Sequence, residues 1–207
     1  MTLDEPSRWD LLRDAVARIA SITTRALPHP YGVDLRFINA LLQAQDNIPA
    51  ANVLNVLNRM EPNGGTALGA TLRNHILKPL VYDILGSQIH SRRLLERPLL
   101  ICVITDGCPD HDDDPTFEGA IQECRQRLVN AGYEPTAVRF CVNQIGGDGG
   151  STRFLDALRS NASIQDVVYC TTERLDLKFR QFRENGRLLD EWLLHMLSNP
   201  IMHRVGN

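Results

Sequence analysis

Apolar residues recur along this chain with two alternating periods. Near the N-terminus Trp9, Leu12, Val16, Ile19 and Thr23 fall at helical spacing behind Ser7, a candidate N-cap, and predict a first helix. Pro28-His29-Pro30-Tyr31-Gly32 breaks it. Val33 to Asn39 then reads as a strand, with Val33, Leu35 and Phe37 on one face, and Ala50 to Met60 as a helix. Beyond the tight loop Glu61 to Thr66, residues Leu68, Leu72, Ile76, Leu80 and Ile84 stand at i, i+4 spacing on a longer helix, which Pro79 is expected to kink or end. Gly86 to Arg97 reads as a polar, basic connection.

Pro98 to Thr105 is almost wholly apolar, the pattern of a strand buried on both faces, and it ends in Asp106-Gly107. A helix with Phe117, Ile121, Cys124 and Leu128 inward follows from Pro115. Then come a strand over Thr136 to Val142, a glycine loop at 146–150, a short helix from Ser151 to about Asn161, and a strand over Ile164 to Cys170. A C-terminal helix carries Leu189, Trp192, Leu193, Met196 and Leu197 on one face. This alternation predicts an α/β fold: a doubly wound, mostly parallel sheet flanked by helices. One domain is expected over 1–207, with its core at about 7–170 and a helical extension at 171–207. Ligands of such sheets bind at the carboxyl ends of the strands.

Composition narrows the class. The 207 residues are 43% hydrophobic and 23% charged, with a formal net charge of -3. That balance argues against a general nucleic-acid binder, and the longest strongly apolar stretch, Leu99 to Ile104, is too short to span a membrane. The polar, acidic start Met1 to Pro6 lacks the basic and apolar regions of a secretory signal. Five cysteines without CxxC spacing read as free thiols in a reducing compartment, so an intracellular location is expected.

Two places carry candidate chemistry. Asp106 follows the most apolar strand and should present its carboxylate at the sheet's carboxyl edge; the acidic run Asp110 to Asp114 follows closely. Such oxygens suit a hard cation such as Mg²⁺ or Mn²⁺, whereas a solvated loop is the plainer reading of 110–114. Thr66 follows two glycines and precedes a helix, as a metal ligand or a simple N-cap. The glycine loop at 146–150 is neither a dinucleotide fingerprint nor a Walker A loop, and the histidines show no metal-ligand spacing. Lys178, Arg180, Arg183 and Arg187, with Phe179 and Phe182, read as a solvated helix face or connector and not as a nucleic-acid or lipid patch.

Together these residues resemble a known family. Pro62-Asn63-Gly64-Gly65-Thr66-Ala67-Leu68 and Ile104-Thr105-Asp106-Gly107-Cys108-Pro109 are similar to the P-x-G-G-T-x-L and I-T-D-G-x-P segments of von Willebrand factor A (vWA) domains of the intracellular type. Ser7-Arg8-Trp9, Gly32 to Asn39, Gln144-Ile145-Gly146 and Phe154 to Leu158 add to the likeness, which spans about Ser7 to Cys170. The resemblance implies a metal-ion-dependent adhesion site (MIDAS) with Thr66 and Asp106 as ligands, Asp110 and Asp112 beside them, and Gly64, Gly65, Gly107 and Asp148 at a partner-binding edge. The family's D-x-S-x-S motif is absent from the sequence. Metal binding is therefore expected to be weak, and the first central strand is expected to be missing as well. The strands at Val33 and Leu99 would then pair directly, accept another segment, or keep open edges that invite a second copy.

The expected function is a non-catalytic protein–protein interaction module, with an unnamed protein partner or self-association through strand edges. The alternatives are a Mg²⁺-dependent phosphoryl-transfer enzyme using Asp106 and the carboxylates of Asp110 to Asp114, or an inactive fragment. Neither a G-x-S-x-G elbow nor the D-x-D of aspartate-nucleophile phosphatases is present.

Overall fold

A computed structural model describes residues 6–27, 31–38, 45–61, 64–86, 95 and 98–202. Helix α1 (Arg8–Ala26) starts where the sequence places it. Ser7 Oγ accepts from the Asp10 N–H, and the Asp10 carboxylate accepts from the Ser7 N–H, a reciprocal cap of two backbone donors. The next strand is shorter than expected. Strand β1 (Val33–Leu35) pairs antiparallel with β2 (Gln45–Ile48), which the alternation did not reveal because its sequence, Gln-Asp-Asn-Ile, is polar at three positions. Helix α2 (Ala50–Leu57) packs on α1, and Ala20, Ile48, Val53 and Leu57 form a small core between them and the hairpin.

Helix α3 (Leu68–Thr71) runs on as an eleven-residue π-helical segment, Leu72–Tyr82, and then α4 (Asp83–Gly86). Pro79 therefore neither ends this helix nor splits it in two. Its missing N–H removes the donor that an α-helix would bring to the His75 carbonyl, and the chain adopts the wider i→i+5 turn instead. Arg36 supplies a donor to that carbonyl from outside, at 2.9 Å.

The main sheet comprises β3 (Leu99–Thr105), β4 (Val138–Gln144) and β5 (Val168–Cys170), all parallel, in the order β3-β4-β5. Strands β3 and β4 are in register over their full seven residues, from Leu99 opposite Val138 to Thr105 opposite Gln144. Helices α5 (Phe117–Asn130), α6 (Gly149–Ser160), α7 (Leu175–Gln181) and α8 (Gly186–Met202) complete the chain. The residues expected at 164–167 as strand precede β5 as turns, and α7 occupies part of the stretch read as a solvated helix face or connector.

Alternation along the strands explains the layering. Ile101, Val103, Phe140 and Val142 face the π-helical segment, α5 and α6, in a core with Leu77, Val81, Phe117, Ile121 and Leu128. Leu100, Cys102, Ile104 and Cys141 face α1, α7 and α8, in a core with Leu11, Ala15, Leu175, Leu193 and Met196. Helices thus cover both faces of a parallel sheet, so the chain is of the mixed α/β class. Arg139, the one charged residue of β4, donates from Nη1 to the Pro200 carbonyl at 2.5 Å and ties β4 to the end of α8.

The Val33 strand does not pair with the Leu99 strand. Among the described residues no strand lies on the far side of β3. The connection at 87–94 and 96–97 lies outside the described residues, as do Asp4, Pro62 and Asn63. No described helix is long and apolar enough to cross a membrane. All five cysteines are free.

Candidate functional site

The loops that leave the carboxyl ends of β3, β4 and β5 bond to one another. After β3, Thr105 Oγ1 donates to the Gly107 carbonyl at 2.9 Å and accepts from the Gly107 N–H at 3.3 Å, which fixes the turn through Asp106. The buried Ser151 hydroxyl of α6 donates to the Asp106 carbonyl at 2.8 Å. Asp148 caps α6 by accepting from the Ser151 N–H at 2.9 Å. That bond, with a further one from the Gly150 N–H, holds its carboxyl below the ordinary value.

The two loops that carry the resemblance also meet. Thr66 Oγ1 lies 3.4 Å from the place a Cβ on Gly107 would take, so the threonine hydroxyl sits beside the turn that follows Asp106. The Thr66 N–H donates to Asp110 Oδ2 at 2.7 Å, and the Asp110 N–H donates back to the Thr66 carbonyl at 3.1 Å. Gly65 has no room for a side chain, because a Cβ there would overlap that carboxylate. Gly64 turns the chain with φ +88°.

Asp113 does the same one turn later. Its buried carboxylate accepts from the Gly69 N–H at 2.6 Å and from the Ala70 N–H at 3.0 Å, two of the donors that the start of a helix leaves without internal partners. A Cβ on Gly69 would overlap the Pro115 carbonyl, so the acidic segment lies directly against this helix start. The run 110–114 is thus a clamp on the 64–70 loop, with Asp110 and Asp113 engaged by backbone N–H groups. Asp112 projects fully into solvent beside His111, 3.5 Å away.

Asp106 itself is exposed, and its nearest charged partner is Arg8, at 3.8 Å. The Arg8 side chain lies across Gly146, with Nε 2.9 Å from the place of a Cβ on that residue, whose φ is +79°. Next to it Arg174 lies across Gly147 and pairs with both carboxylate oxygens of Asp176, at 3.1 and 2.5 Å. Burial pushes the Asp176 carboxyl up, but the Arg174 pair and the Gly146 N–H at 2.9 Å outweigh it and hold the group below its ordinary value.

This donor set fits a divalent cation poorly. Thr66 and Asp106 offer one hydroxyl and one carboxylate, Asp110 is engaged by the Thr66 N–H, and a cation on Asp106 would face the Arg8 guanidinium. Mg²⁺ needs close to octahedral oxygen coordination, and the motif that would add further ligands is absent. Among the described residues no three His, Cys, Asp or Glu side chains group in a way that could hold a metal ion.

Three features of this edge had no signature in the sequence reading: Arg8 over Gly146, the Arg174–Asp176 pair, and the clamp by Asp113. Arg8 over Gly146 and the Asp113 clamp join residues distant in sequence, the Arg174–Asp176 pair is local but carries no motif, and only the Gly-Gly pair at 146–147 hinted at a close approach. Comparison with known proteins gives no match to a family model, to a curated protein or to a solved structure.

Proposed function

We propose that this chain is a non-catalytic protein-interaction module of vWA-like architecture that works without a resident metal ion. The interlocked 64–66 and 106–110 loops support the vWA-like part of the reading, since the resemblance expects Thr66 and Asp106 to be neighbours. Phosphoryl transfer is less favoured, because both oxygens of Asp113 and one of Asp110 accept backbone N–H bonds, which leaves fewer carboxylate oxygens for Mg²⁺.

The observation that carries the interaction reading is the outer edge of β3, which pairs with no strand among the described residues. Seven residues, Leu99–Thr105, pair with β4 on one side and with no described strand on the other. The strand contains no charge and no proline, the usual devices that keep an edge from pairing. Its two faces enter two different helix-covered cores, so a strand added beside it must be apolar on both faces. The β3 strand of a second copy meets that requirement. A two-fold axis would pair the two strands antiparallel and join two sheets into one.

Sedimentation equilibrium at micromolar concentration, with amide exchange of residues 99–105 followed against concentration, tests this reading. A dimer whose β3 amides gain protection as concentration rises is expected. A monodisperse monomer with concentration-independent exchange overturns it.

A further inference from the structure

Away from the carboxyl edge, a pocket of about 290 Å³ opens between the π-helical segment and α5, lined by Arg73, Asn74, Lys78, Tyr82, Asp83 and Arg127. Its lining follows from the helix type. A π-helical turn closes i→i+5 bonds, so residues four and five apart stack. The positions 73–74, 78 and 82–83 therefore form one strip. In an α-helix, at 3.6 residues per turn, Asn74 and Asp83 would lie on opposite sides. The π-helix is rare, and its usual single-turn bulges are frequent at functional sites.

The groups on this strip are built for an anion. Glu123 bridges the two arginines: Arg73 Nε donates to Oε2 at 2.8 Å and Arg127 Nε to Oε1 at 2.9 Å. The Arg127 guanidinium also stacks on the Tyr82 ring, 4.3 Å from its centroid. Both cations are thus held in place before any ligand arrives, and pre-organisation of this kind lowers the cost of binding. Lys78 makes no described hydrogen bond or ion pair. The Tyr82 hydroxyl is buried with no hydrogen-bond partner, an unfavourable state that an acceptor reaching it would relieve. Burial raises the Tyr82 pKa, so the phenol keeps its proton and remains a donor.

We propose that this pocket binds a phosphate group carried by a small molecule. Arg73, Lys78 and Arg127 line the pocket with one acid, Asp83; Glu123 and Asp114 lie close enough to offset the charge of Arg73, so the positive character of the site rests on Lys78 and the outward edges of the guanidiniums. The donors come from an ammonium, a carboxamide, a phenol and the outward N–H groups of two guanidiniums. A tetrahedral phosphate ester, with three free oxygens, can engage more of these donors from different directions than a planar carboxylate with two. The volume lies at the small end of the range for ligand sites, which fits a phosphorylated metabolite and not a macromolecule.

The test titrates the full chain with inorganic phosphate and, separately, with glycerol phosphate at constant ionic strength, reading the thermal midpoint. A ligand that binds only the native state raises it. A saturable rise is expected, with binding about tenfold weaker in Lys78→Gln and in Tyr82→Phe, which keeps the stacked ring. Tighter binding of the ester assigns the pocket to a phosphorylated metabolite; tighter binding of inorganic phosphate assigns it to the free ion. No saturable rise with either, or a rise that both variants leave unchanged, overturns the proposal. The dimer test at β3 reads a different surface, so the two readings fail independently.

Discussion

Arg36 Nε donates at 2.9 Å to the carbonyl of His75, the acceptor that an α-helix would pair with the N–H that Pro79 lacks. The same guanidinium donates to the Leu35 carbonyl at 2.9 Å and to Asp46 at 2.5 Å, and its side chain is only 8% exposed. Arg36 therefore fastens the β1–β2 hairpin to the π-helical segment. Arg36→Ala is expected to cost about 2 kcal/mol in urea unfolding, since it removes the charge-assisted bonds made by a nearly buried guanidinium. Pro79→Ala restores an N–H near His75, so the cost of Arg36→Ala should fall by about 1 kcal/mol in that background. Strict additivity of the two changes would show that Pro79 and Arg36 are unrelated.

A second clamp joins segments more than forty residues apart. Asp113→Ala removes the acceptor of two N–H groups at a buried helix start and should destabilise the chain by about 2 kcal/mol, whereas Asp112→Ala, on a side chain wholly in solvent, should be neutral within about 0.5 kcal/mol. Gly69→Ala should exceed both, because its Cβ would meet backbone at Pro115 that the clamp holds in place. Equal effects of Asp112→Ala and Asp113→Ala in denaturant unfolding would refute the clamp.

Much of the architecture was readable from periodicity, and the reasons are local. The apolar run of β3, the Ser7 cap, and the inward row Phe117, Ile121, Cys124 and Leu128 each declare themselves within a few residues. Strand β2 did not, because its Gln-Asp-Asn-Ile sequence is set by pairing with β1 and not by burial of one face. The π-helical register was hidden too. Leu68, Leu72, Ile76 and Leu80 fit an α period, and the departure depends on Pro79 together with Arg36, thirty-nine or more residues upstream. At the carboxyl edge the sequence placed Thr66 and Asp106, but it could not show that Asp110 answers a backbone N–H or that Arg8 reaches Asp106.

The Arg8–Asp106 pair bears on metal binding. Because the guanidinium already faces the one exposed carboxylate, the thermal midpoint should be the same in EDTA and in millimolar Mg²⁺ or Mn²⁺. A rise with metal that Thr66→Ala and Asp106→Ala both abolish would restore a working MIDAS and overturn the metal-free reading.

Thiol reactivity should single out one cysteine. Cys108 is exposed, whereas Cys124, Cys141 and Cys170 are buried. Burial pushes the Cys124 and Cys170 thiols up to about 12, and the hydrogen bond to Cys141, with burial, pushes Cys102 up as well, so few thiolates are available there. A maleimide should modify the native chain rapidly at Cys108 alone and reach all five cysteines in denaturant. Rapid native labelling of Cys102 or Cys141, read by peptide mass mapping, would contradict the packing of α8 over β3 and β4.

Acid should weaken the fold through carboxylates whose native pKa values are depressed. Hydrogen bonds from Arg73 and then Arg127 lower Glu123, the Ser151 N–H lowers Asp148, and Arg174 with the Gly146 N–H lowers Asp176 against its burial. A group held below its unfolded value contributes stability that is present above that value and lost as pH falls through the native one. Unfolded Asp and Glu titrate near about 4, so the midpoint should be level above about pH 5 and fall steadily below it. Asp176→Asn should lower the midpoint at neutral pH, because it weakens the pair with Arg174. It should also flatten the acid limb, because one of the titrating groups is gone. An acid limb of unchanged slope in that variant would mean that Asp176 is not among the groups whose protonation loosens the carboxyl edge.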